Sequence, residues 1–173
     1  MITRAASTFL LLLAAVTLAG CSAPEPPAPS ECLTAIERAS TAEDTARTSS
    51  QTLSTVLSDA ATKPPAEFAS VASAATAWAS DLDALAAGYD ALAPLTVESF
   101  GDAALQVSST ATSAAEQVRE FAAAAQAYSV GADDATIAAL NAAAAEIAPA
   151  PGAIADALDR VSEINTNSDD ICD

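Results

Sequence analysis

The chain has 173 residues, with 23 Asp and Glu against 6 Lys and Arg, a formal net charge of −17, no His and 48 Ala. So acidic a chain has almost nothing with which to neutralise phosphates, which excludes a nucleic-acid binder acting through a basic surface and argues against adsorption onto anionic lipid headgroups. Without His there is no His base, no His metal ligand and no Ser-His-Asp triad, and Lys63, the single Lys, is not part of a phosphate-binding Gly-x-x-x-x-Gly-Lys run.

Residues 1–20 read as a secretory signal. Arg4 supplies the positive start and Phe9–Leu18 the apolar run, which is shorter than the roughly 20 residues a spanning helix needs. The run closes on Leu18-Ala19-Gly20-Cys21. That ending resembles the lipobox of bacterial lipoproteins, a likeness confined to the first 21 residues. The resemblance implies cleavage before Cys21, a diacylglycerol on its thiol, and a fatty acyl group such as palmitate on the new amino group. Two or three chains anchor stably where one is marginal. The expected location is therefore the extracytoplasmic face of the cell membrane. Residues 21–30 form the lipidated Cys and a Pro-rich tether (SAPEPPAPS from Ser22), predicted to be extended at ~3.1 Å per residue.

Cys32 and Cys172 remain. Outside the cytoplasm disulfides persist, and two Cys in such a domain most simply pair with each other. A metal or redox role lacks companions, because there is no Cys-x-x-Cys pair and no His.

Residues 31–173 are predicted to be one Ala-rich helical domain. The first segment, about 32–61, carries the stripe Cys32, Ala35, Ala39, Ala42, Ala46, Ser49, Leu53, Val56, Ala60. Thr62–Pro65 breaks it, and Pro65 suits the first turn of the next helix. The second stripe is Phe68, Val71, Ala75, Trp78, Leu82, Leu85, Tyr89, Leu92, ended by Pro94. Thr96 is the expected N-cap of the third segment, whose stripe is Val97, Phe100, Ala104, Val107, Ala111, Ala114, Val118, Phe121, Ala125, Tyr128. Gly131 ends it and Asp133 caps the fourth. The fourth stripe is Ile137, Leu140, Ala144, Ile147, Pro151, Ile154, Leu158, Val161. All four space 4-3-4-3, the period of a left-handed bundle seam. Four segments of similar length with short connections predict an all-α, up-down-up-down four-helix bundle closed by a Cys32–Cys172 disulfide. The first helix, with few large residues on its stripe, is expected to pack most weakly.

Pro149 and Pro151 withdraw amide donors inside the fourth segment, so it is either kinked in place or broken into two helices. A kink opens room between helices, and Ile147, Pro149, Pro151 and Ile154 form the candidate ligand groove. Trp78, Tyr89 and Tyr128 read as core at their heptad positions. Asn165, Asn167, Asp169, Asp170 and Asp173 lack the Gly and terminal Glu of a calcium loop and read as a solvated tail. The Ser/Thr run Thr48–Thr55 reads as a polar helix face, with O-glycosylation as the alternative.

No catalytic constellation, cofactor or metal site is expected, and an enzyme is not expected. The domain resembles Ala-rich helical lipoproteins of high-GC bacteria, a likeness that implies no activity. The expected role is non-enzymatic: an acidic helical surface presented to another envelope protein or a cationic polymer, with no nucleic-acid partner. The alternative is a carrier or sensor holding a small apolar ligand near the proline kink.

Overall fold

A computed structural model describes residues 29–167 and 171–172. Among them every regular element is helical, in the order α1 (Pro29–Ala60), a 3-10 turn (Pro65–Glu67), α2 (Phe68–Leu92), a 3-10 turn (Ala93–Leu95), α3 (Glu98–Val130), α4 (Asp134–Ile147) and α5 (Ala150–Asn167). The signal, Cys21 and the tether up to residue 28 lie outside the described residues, as do Asp169, Asp170 and Asp173.

Two predicted boundaries move. Pro29 and Ser30, assigned to the tether, belong to α1. Proline fits a first helical turn, where its missing N–H would have no partner in any case. Thr96 does not cap α3. Val97 holds that position without a side-chain bond, while the Thr96 hydroxyl donates back to the Ala93 carbonyl at 3.1 Å. The cap of α4 is as expected. The Asp133 carboxylate accepts from the Thr136 amide at 2.8 Å, and the Asp133 amide donates to the Thr136 hydroxyl at 3.0 Å. Hydrogen bonds from Thr136, its amide first and then its side chain, hold the Asp133 carboxyl below its usual range.

The core is the α2–α3 pair. Trp78, Leu82, Leu85 and Leu92 from α2 meet Phe100, Val107, Val118 and Phe121 from α3, all nearly or fully buried. Burying one such side chain contributes ~1.5–3 kcal/mol, so these few residues outweigh the many Ala around them. Alanine instead sets spacing. A Cβ on Gly88 of α2 would stand 3.3 Å from the Cα of Ala39 of α1, so the two backbones run close. At the far end of the pair, Phe68 meets Tyr128 edge-on, with ring centroids 4.8 Å apart.

Sequential helices are the neighbours. α1 lies on α2, α2 on α3, and α3 on both α4 and α5, whereas α1 and α5 scarcely approach each other. The weakest packer is α4, not the first helix as expected. α1 buries Cys32, Ala35, Ala39, Ala46, Leu53 and Ala60, while α4 buries no residue and leaves Ile137 41% exposed. The fourth stripe is thus half-exposed, because α3 is the one substantial neighbour of α4. Asp134–Asn165 is long and apolar enough to cross a bilayer on those two criteria, with mean hydropathy reaching 1.3. It runs along α3 and ends just before the disulfide.

That disulfide joins Cys32 to Cys172, with Cα atoms 5.8 Å apart across 140 residues of sequence. Next to it the Ile171 carbonyl accepts from the Val97 amide at 3.1 Å. The starts of α1 and α3 and the segment after α5 are therefore tied together.

Candidate functional site

Where α1 and α5 fail to meet, a cleft of about 260 Å³ opens between them with α2 as its floor. Its three sides differ chemically. The floor is apolar: Trp78, Leu82 and Leu85 project into the core at heptad positions and lie beneath the cleft almost wholly buried. The α5 wall is mainly apolar, with Pro151, Ile154, Ala155 and Leu158, and Asp159 at its rim. The α1 wall is polar apart from Ala46, with Glu43, Arg47, Ser50 and Gln51.

The polar wall has a sequence origin. Ile36, Glu43, Ser50 and Leu57 stand seven residues apart on α1 and are all half-buried. The outer two are apolar and pack against the core. The inner two are polar and line the cleft. Glu43 is held by Tyr89, whose hydroxyl donates to Oε1 from α2. Burial first, and then the Glu43 hydrogen bond and charge, push the Tyr89 hydroxyl far above the usual tyrosine range. Tyr89 is thus a proton donor at any ordinary pH, and Glu43 is a partnered carboxylate in place of a bare one. Arg47 makes a loose pair with Asp44 at 3.8 Å, both well exposed, so its guanidinium stays accessible.

The fourth segment is interrupted at Ala148 and Pro149, and α5 begins at Ala150. The backbone at Ala148 stays helical, and the Ala153 amide still reaches the Pro149 carbonyl at 3.0 Å. The four candidate groove residues separate around this break. Pro151 and Ile154 line the α1–α5 cleft. Pro149 faces a different depression, against Ser109, Ser113 and Gln117 of α3. Ile147 packs half-buried on the core. Helical rotation explains the division, since Pro149 and Pro151 stand about 200° apart around an α-helix axis. The sequence reading missed Trp78, Leu82 and Leu85 as floor residues and the whole α1 wall. The polar pair inside the Ile36–Leu57 row was the signal that could have found the wall.

Other singled-out residues have local explanations. Tyr89 is buried in the core and Tyr128 half-buried beside Phe68. Asn165 is exposed at the end of α5, which extends through Asn167. In the Ser/Thr run, the hydroxyls of Thr48, Thr52 and Thr55 each donate to the carbonyl four residues earlier. Among the described residues no group of three His, Cys, Asp or Glu side chains is placed to hold a metal. No protein-family model, no curated protein and no solved structure matches the chain.

Proposed function

We propose that this protein is a lipid-anchored lipoprotein on the extracytoplasmic face of the cell membrane, held through Cys21, and that its helical domain serves recognition, not catalysis, by offering an acidic surface to a cationic partner in the envelope. The observation carrying this reading is the distribution of charge. Among the described residues no charged side chain is buried, so the excess of Asp and Glu over Lys and Arg stands on the surface. A field of one sign steers oppositely charged partners and repels further copies of the chain.

We further infer that the four segments alternate in direction. Three cross-helix pairings support this: Glu43 with Tyr89, Asp83 with Arg119, and Gln106 with Arg160 at 2.8 Å. The short connections at 61–64 and 131–133 leave no room for a return crossover.

The test has two arms. Cys21→Ser should move the protein from the membrane to the soluble fraction, and unchanged membrane retention overturns the anchor. The released protein should recover an envelope partner at low salt and lose it at about 1 M salt, where the screening length falls to about 3 Å. Recovery that ignores salt, or none at all, overturns the acidic-surface reading.

A further inference from the structure

We infer that the cleft between α1 and α5 is a binding site for a small, uncharged amphipathic molecule, an apolar body carrying one hydroxyl, amide or ester group. The inference does not depend on the acidic surface having a partner. It starts from the interruption of the α1 row. The row is apolar at its outer members, Ile36 and Leu57, and polar at Glu43 and Ser50, which stand half-buried where the cleft opens. Opposite them stand the exposed or half-exposed Pro151, Ile154 and Leu158, with the buried Trp78, Leu82 and Leu85 beneath. One side of the cleft wants apolar contact and the other wants a hydrogen-bonding head, which is the lining of a small-molecule site.

Charge selects the ligand further. Glu43 and Asp159 stand on opposite walls, and the chain as a whole is strongly negative, so an anionic head is repelled. Arg47 stands beside Glu43 in the same lining and offsets its charge, and one Glu43 oxygen already accepts from Tyr89. Ser50, Gln51 and Arg47 supply donors for a neutral acceptor. The cleft, at about 260 Å³, sits just below the usual range for drug-sized ligands, which limits the occupant to a small molecule. Trp78 is the one Trp of the chain and lies beneath this cleft, so its fluorescence is a probe beside the site.

The experiment titrates the full chain carrying Cys21→Ser with 1-octanol, octanoate and octylamine, following Trp78 emission. Octanol should give a saturable shift, tighter than either charged probe. Ala155→Phe and Gln51→Phe replace exposed residues on opposite walls and fill the cleft from either side. Each should weaken octanol binding by about tenfold or more, with helical circular dichroism unchanged. No saturable shift with octanol overturns the site. Preference for octanoate or octylamine overturns the assignment of a neutral ligand. Undiminished binding in both folded variants places the response elsewhere and overturns the cleft.

Discussion

The carbonyl oxygen of Ala93 lies 2.7 Å from where a Cβ on Gly101 would stand. The obstruction is backbone, held in the 3-10 turn before α3, and cannot swing aside. Gly-to-Ala exchange inside a helix ordinarily stabilises by roughly 0.5–1 kcal/mol. Here Gly101→Ala should instead destabilise by about 1–3 kcal/mol, the range for forcing a methyl group into filled space. Gly152 in α5 has nothing within 4 Å of such a Cβ and serves as the control. Gly152→Ala should gain stability by about 0.5–1 kcal/mol. Urea denaturation of both variants checks the opposite signs.

Cys32→Ser with Cys172→Ser should cost about 2–5 kcal/mol, the usual loss when a native disulfide is removed. The loss should also have a place. α1 rests substantially on α2 alone and α5 on α3, with the disulfide spanning the gap between them. Hydrogen exchange of the variant should therefore rise first in α1 and α5, while amides around Phe121 and Leu82 stay protected. A uniform rise over all helices contradicts this account.

Tyr89→Phe removes the donor to Glu43 and should cost about 0.5–1.5 kcal/mol. The larger signature is in pH. The Tyr89 hydroxyl is pushed up in the folded protein, so the fold retains this proton where the unfolded chain loses it. Its contribution is complete below the unfolded value of about 10 and falls as pH rises beyond it. Wild-type stability should drop steeply above about pH 10, and Tyr89→Phe should flatten that drop. An equal drop in the variant assigns it to other groups.

Asp133 gives the opposite sign. Its folded value is lowered, so the α4 cap contributes above the usual carboxylate range and is lost as the pH falls through the depressed value. Asp133→Ala should destabilise α4 at neutral pH and lose much of that effect in strong acid. Because α4 buries no residue, the change should appear as faster exchange of α4 amides before any change in global unfolding.

The helices were legible because their causes are local. Periodic apolar residues, Pro65 and Pro94 as breaks, Gly131 as a stop and Asp133 as a cap all act within a few positions of themselves. The pairing of Cys32 with Cys172 was legible too, since few partners existed. Thr96 misled because its hydroxyl had a nearer acceptor, the Ala93 carbonyl. The four candidate groove residues divide for a geometrical reason: Pro149 and Pro151 are close in sequence but face different sides of the domain.

The amino-acid order thus suffices for which residues turn inward along each helix, since that depends on a 3.5–3.6-residue period within one segment. It does not say which helices meet. Ile137 and Leu82 occupy equivalent stripe positions, yet one is 41% exposed and the other fully buried. Only packing decides that, because burial needs a second surface, and α4 has one substantial neighbour where a closed bundle would supply two. The cleft belongs to the same category. Glu43, Trp78 and Ile154 are far apart in the chain, and their common site exists because α1 and α5 stop short of each other on either side of α2.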